Sequence, residues 1–310
     1  MRQEPIQDIT TKQYRQLLIS FREWLRDSLY AKATIYGMPN RITEFLYYLE
    51  TEGITSIKEA DVTSVNSFFE SLFYKKNRRR AGGLSPGSIN KYTQALKKFS
   101  FYLEKTKQIN LPVQLRYEKV EIKKEKVLSI EEVKALFSAT EKEDPISRRD
   151  QAMIVCLYSL GLRKSELIRL DVEDVLLEKE QVYIKSQENK ETKTARERYI
   201  PLTQYSRQIL ENYIFLARPL LLKDGTSSAL FISERKKRIS PELIPYRLKI
   251  LQEQSEHPEL KNKNLHAHLL RHSLGKHLLS GGLSISDIAR ILGHTSTNTT
   301  QRYTQVEGEL

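Results

Sequence analysis

The stretch HLLRHSLGKH, His268 to His277, sets three imidazoles and one guanidinium among leucines. Three chemistries compete for it. His268 and His272 are spaced i,i+4, and HxxxH on a helix can hold zinc. A zinc site needs a third ligand, however, and the glutamate of an HExxH pair is missing. Arg271 would also set a cation beside the metal, so no metal is expected here. A packed helix accounts for Leu269, Leu270, Leu274, Leu278 and Leu279. It does not account for His268 and Arg271 lying one turn apart on one face. Imidazole and guanidinium side by side suit an anion, and a phosphate in particular.

A second candidate is GLRKSEL, residues 161–167. Gly161 is expected to stop an apolar helix, with Arg163 just beyond it and Glu166 spaced to meet Arg163. As a surface ion pair this would contribute only about 0–1 kcal/mol. A third lies near the end of the sequence. Gly281-Gly282 closes the helix of the opening stretch, and Ser284 with Asp287 starts DIARIL, which stops at Gly293. His294, the hydroxyl run TSTNTT and Gln301-Arg302-Tyr303 follow. Ser296 or Thr297 can cap a last short helix carrying Tyr303. One tyrosine among 16 is ordinarily a packing or surface residue.

In this order, GLRKSEL, HLLRHSLGKHLL and LGHTSTNTTQRY resemble the motifs of the tyrosine recombinases, the phage-integrase-like site-specific recombinases. The resemblance covers residues 128–310, and the preceding helical part looks like the family's core-binding domain with weaker motif content. It implies that Arg163 and Arg271 clamp the scissile phosphate and that His268 and His294 fill the histidine positions. Tyr303 would be the nucleophile that forms a 3′-phosphotyrosyl bond. Glu166 matches an acidic buttress of the first arginine, and His272 a second histidine of scaffold type. The family also carries a catalytic lysine on a hairpin. The spacing of KTARERYIPL before Pro201 points to Lys193, with Lys190 and Lys185 as rivals. No cofactor or metal is implied. The implied partners are double-stranded DNA with paired inverted-repeat sites and three further copies, a homotetramer on two DNA sites. The size is Xer-like, with no room for an arm-binding domain, and seven residues follow Tyr303. A type IB-like topoisomerase and a regulator with a decayed site are the competing functions.

The chemistry can be rebuilt from the side chains. A phosphodiester under attack gathers charge on its nonbridging oxygens, and preorganised donors must meet it. Two arginines do so with planar forks that are always charged. A tyrosine of pKa about 10 is ionised in roughly one molecule per thousand at pH 7, so a base must take its proton. His268 is the candidate base. The 5′-oxygen leaves as a poor alkoxide and needs an acid, a role that suits a lysine. The covalent link conserves the phosphodiester's energy, so ATP is not required.

These groups need elements to hold them. The fold class expected is mainly α with a small antiparallel sheet. A helical domain over 1–108 and a charged linker over 109–127 would precede an α+β catalytic domain over 128–310. Apolar spacing predicts helices over 10–27, from Pro39 to Gly53, after Asp61, and from the Ser85 cap through Leu103. The helix at 10–27 precedes the family's usual first helix and is a candidate for assembly. Downstream, Ser129 with Glu132 forms a capping box, an apolar helix runs over 150–159, and strands are expected at DVLL, QVYIKS and RERYIPL. The net charge is +12. Residues 1–126 hold 23 Lys and Arg against 14 Asp and Glu, so most of the surplus sits there. This asymmetry favours a polyanionic partner. Lys75, Lys76, Arg78, Arg79, Arg80, Lys91, Lys97 and Lys98 are candidate DNA contacts. Cys156, the single cysteine, sits in an apolar run and reads as inert. No secretory signal or membrane span is expected, which fits the cytoplasm and its nucleoid.

Overall fold

The computed structural model describes residues 9–30, 32–76, 82–120, 127–186 and 197–293. Among these, residues up to 120 form one compact unit and those from 127 a second. The first is all helical: α1 (Lys12–Asp27), α2 (Lys32–Thr51), α3 (Val62–Tyr74) and α4 (Pro86–Lys107). Local signals set most of its boundaries. Asp61 and Ser64 cap each other at the start of α3, and Ser85 accepts from the Ser88 amide before Pro86 opens α4. The apolar stripes then meet in one core. Phe21 lies edge-on to Phe99 at 5.1 Å between ring centres, and Phe45 packs against Phe68 at 5.2 Å.

Two expectations need correction. Helix α2 does not open at Pro39 but at Lys32, with the proline inside it. Ile35 and Met38 are buried and extend the apolar stripe upstream. Their packing carries the helix through a residue that offers no N–H to the carbonyl one turn back. The stretch 109–127 is also not all linker. Leu111 and Leu115 are buried in the first core, and Ser100 donates to the Leu111 carbonyl at 2.6 Å. Asn90 then exchanges two hydrogen bonds with the backbone of Glu118, at 2.9 and 2.7 Å. Its charged surface hides an apolar i,i+4 pair.

The second unit is built around the largely buried helix α6 (Pro145–Ile154), which continues as an apolar π-helical turn over Val155–Ser159. Cys156 lies fully buried in that turn, and burial pushes its thiol pKa up, as an inert side chain requires. Before it comes α5 (Ile130–Ser138), capped by Ser129 and Glu132 in both directions. After it come α7 (Lys164–Arg169) and strands β1 (Val175–Leu176), β2 (Gln181–Ile184) and β3 (Arg198–Pro201), antiparallel in the order β1-β2-β3. Helices α8 (Gln204–Asn212), α9 (Arg218–Leu222), α10 (Leu243–Gln254), α11 (Pro258–Lys261), α12 (Ala267–Ser280) and α13 (Ile285–Leu292) complete it. The fold is thus mainly α with a small antiparallel sheet. No described helix is long and apolar enough to cross a membrane.

The packing of residues 109–118 gives a direct test. Leu111→Ala removes a fully buried side chain and should cost about 2–5 kcal/mol in urea unfolding. Tyr117→Ala, at an exposed ring that stacks against the Lys97 ammonium, should stay within about 1 kcal/mol of the parent.

Candidate active site

Three chain segments converge in the second unit: the turn between the π-helical segment and α7, the body of α12, and the end of α13. The turn is shaped by hydrogen bonds that skip more than one helical turn, from the Leu160 amide to Val155 and from the Leu162 amide to Cys156. Gly161 sits there with φ +60°. A Cβ on it would lie 2.5 Å from Leu292 and 2.8 Å from Leu274, so the close approach of α12 and α13 needs a glycine. Arg163 follows as the N-cap of α7. Its amide donates to Glu166 Oε2 at 2.8 Å and its Nη1 to Oε1 at 2.9 Å.

Glu166 is buried, yet it faces three guanidinium groups. Arg198 on β3 forks onto both of its oxygens, at 3.1 and 3.0 Å, and Arg271 Nη1 stands 3.9 Å away. Burial alone would raise the pKa of this carboxyl. The Arg198 hydrogen bonds and charge, with the Arg163 amide and charge, outweigh it and hold the pKa down to about 2. Each arginine also reaches a backbone carbonyl. Arg163 donates to Gly293 at 3.0 Å and Arg198 to Ile291 at 3.1 Å. Arg271 donates to Gly161 and Leu292, each at 2.5 Å. Arg271 therefore ties the Gly161 turn to the end of α13 as well as facing the site.

Arg163, His268 and Arg271 line one cleft of about 430 Å³. The grouping inferred from GLRKSEL and HLLRHSLGKH therefore exists in space. His268 is exposed and His272 partly so, with ring centres 4.2 Å apart. His277, the third histidine of the opening stretch, belongs elsewhere: its Nδ1 lies 2.7 Å from the Tyr158 hydroxyl, and burial lowers its pKa. Among the described residues, no three potential metal ligands gather. Lys193, Lys190, His294 and Tyr303 lie outside the described residues, as do Arg78, Arg79 and Arg80. Lys185 is described. Its ammonium sits 3.0 Å from Asp174 and 3.1 Å from Glu173, and those hydrogen bonds raise its pKa.

Of the basic candidates in the first unit, Lys75 pairs with Glu44 and lies 3.2 Å from the Tyr92 hydroxyl. Lys97 lies over the Tyr117 ring at 4.7 Å, and Lys98 donates to the Tyr30 hydroxyl at 2.7 Å. Lys76 and Lys91 are exposed.

Two residues escaped the sequence reading. His266, the N-cap of α12, lines the cleft and lies 2.7 Å from the Asn264 carbonyl through Nδ1, which must carry the proton there. Arg198 had a usable signal. Alternation along β3 places it on the same face as buried Ile200, and a charge on the core side of a strand needs a buried partner.

The model of the phage integrase family matches residues 126–309. The chain belongs to this family, the tyrosine recombinases. It is 30% identical over 295 residues to the tyrosine recombinase XerC of Bacillus subtilis, covering 94% of this chain and 91% of that protein. It is 34% identical over 226 residues to XerD of Staphylococcus epidermidis, covering 72% and 73%. The fold matches the Tn1549 transposon integrase in complex with transposon right end DNA, with TM-score 0.70, 17% identity and coverage of 93% and 94%. It also matches the XerH recombinase bound to a palindromic difH substrate, with TM-score 0.70, 16% identity and coverage of 96% and 94%. The enzyme is a tyrosine-type site-specific recombinase, which breaks and rejoins DNA strands by transesterification through a covalent 3′-phosphotyrosyl intermediate.

The turn that presents Arg163 depends on Gly161. Gly161→Ala should lower stability in urea unfolding by about 1–3 kcal/mol through overpacking against Leu292 and Leu274. Cleavage should fall with it.

Proposed function

We propose that Arg163 and Arg271 clamp the scissile phosphate in the cleft they share with His268, and that Tyr303 attacks the phosphorus. What carries this reading is the convergence of the two guanidinium groups and one imidazole on a single cleft. The bond between phosphorus and the 5′-oxygen breaks as the Tyr303 oxygen bonds to phosphorus. His268 accepts the tyrosine proton, His294 adds a donor to the phosphate, and a hairpin lysine returns a proton to the 5′-oxygen. Lys193 suits that role better than Lys185, whose ammonium is held by carboxylates and gives up its proton less readily. Glu166 buttresses Arg163, and His272 supports His268. Attack by a 5′-hydroxyl on the phosphotyrosyl bond reverses the steps and reseals DNA without ATP.

The working assembly is a homotetramer on two DNA sites with paired inverted repeats. Neighbours in fold include an integrase tetramer bound to a Holliday junction, which supports this arrangement. The reaction belongs in the cytoplasm, on the nucleoid. The first unit, with its surplus of cations, tracks the DNA backbone through Lys75, Lys76, Arg78, Arg79, Arg80, Lys91, Lys97 and Lys98. Lys75 is the weakest of these, because Glu44 already compensates its charge.

Tyr303→Phe should retain DNA binding and lose both cleavage and the covalent adduct, read as a shifted band on a denaturing gel. A phenylalanine variant that still traps DNA would remove Tyr303 from the mechanism. Arg163→Lys should cleave at least about 10²-fold more slowly than the parent, since an ammonium cannot supply the fork and losing one such donor costs about 10²–10³. Full activity with lysine would contradict the clamp.

Replacing Arg78, Arg79 and Arg80 together by alanine tests this basic run. Each lost phosphate contact should reduce the slope of log K against log salt by about 0.9. Affinity should fall alike for all sequences, because phosphate contacts carry no base information. An unchanged slope would remove these three arginines from the DNA contacts.

A further inference from the structure

We propose that Arg198 is a positioning residue of the cleavage reaction: it satisfies the Glu166 carboxylate so that Arg163 and Arg271 keep their charge for the phosphate. The inference rests on the reading that those two arginines clamp the phosphate. The distances separate the three guanidinium groups into different roles. Arg198 alone meets both Glu166 oxygens with a fork, at 3.1 and 3.0 Å. Arg163 gives Glu166 one side-chain nitrogen, at 2.9 Å, and turns its other terminal nitrogen to the Gly293 carbonyl. Arg271 stands 3.9 Å from the nearer oxygen, beyond hydrogen-bond reach.

The lining of the cleft follows the same division. Arg163, 31% exposed, and Arg271, 2% exposed, line it, whereas Arg198, 9% exposed, does not. Arg198 is also fixed at its third corner, where Nε donates to the Ile291 carbonyl at 3.1 Å. Gly293 leaves it room: a Cβ there would lie 2.7 Å from Arg198 Nη1. A bidentate fork held in this way is the stronger partner for a carboxylate.

The consequence is a matter of charge. A phosphodiester carries one negative charge and approaches two as a fifth oxygen bonds to phosphorus. With Arg198 compensating Glu166, two arginines are left to meet those two charges. Without it, Glu166 draws on Arg163 and Arg271, and the deficit is greatest when the phosphate is most negative. Loss of Arg198 should therefore lower the cleavage rate more than the affinity for uncleaved DNA.

The probe is a nicked duplex enriched from a randomised library by covalent capture on the wild-type protein. Arg198→Gln should bind it within about 3-fold of wild type and cleave it at saturation at least about 10-fold more slowly. The deciding readout is a double-mutant cycle with Glu166→Gln. Once the carboxylate is neutral, Arg198 has no charge to compensate, so its replacement should cost several-fold less in the Glu166→Gln background. Thermal melts accompany each variant. If Arg198→Gln unfolds, Arg198→Met, which also removes the charge and keeps the apolar stem, takes its place in the cycle with the same expected sign. Wild-type cleavage by the Arg198 variant, or rate losses that simply multiply in the double variant, would overturn the proposal. Wild-type cleavage by Arg163→Ala would instead overturn the clamp on which it rests.

Discussion

A carboxylate taken out of water stays charged only where cations surround it, and Glu166 is such a group. Its guanidinium partners extend beyond it to the carbonyls of Gly161, Ile291, Leu292 and Gly293. One negative charge thereby organises the turn before α7, strand β3, helix α12 and the end of α13. Truncating one partner of a buried pair typically costs about 3–5 kcal/mol, because the other charge is left exposed to a dry interior. The arrangement is therefore costly to alter by parts. That rigidity holds the guanidinium groups of Arg163 and Arg271 in fixed places along the cleft.

The apolar packing beneath the network has a matching logic. Leu274, Ile288 and Leu292 form a small core of their own between α12 and α13. The first and last of these are the side chains that press on Gly161. The polar network and this satellite core thus share the same backbone turns, and moving Arg163 means moving leucines.

The sequence was most legible where signals are local. Ser85 before Pro86, Ser129 with Glu132 and Ser284 with Asp287 each mark a helix start by their own hydrogen bonds, and each one caps in the structure. Arg163, Glu166, His268 and Arg271 were legible for another reason: their spacing forms a family pattern. The misses arose where tertiary packing decides. Pro39 reads as a helix start until Ile35 and Met38 find partners across the core. Leu111 and Leu115 sit in a run of charges that disguises their burial. Arg198 lies in the charged segment RERYIPL, whose charges mask its place two residues before buried Ile200; that alternation, with Ile184 opposite it in the register, sets it on the core face toward Glu166.

The π-helical turn at Val155–Ser159 has a consequence for how this gene tolerates length changes. Such a turn holds one residue more than an α-helical turn of the same rise. Deleting one residue between 155 and 159 would regularise the helix and improve its hydrogen bonding. It would also remove the bonds from Leu160 to Val155 and from Leu162 to Cys156 that shape the turn at Gly161. Gly161, Arg163 and Glu166 would then shift together relative to α12 and Arg198. The irregular turn works as a spacer, and here a better helix would make a worse enzyme.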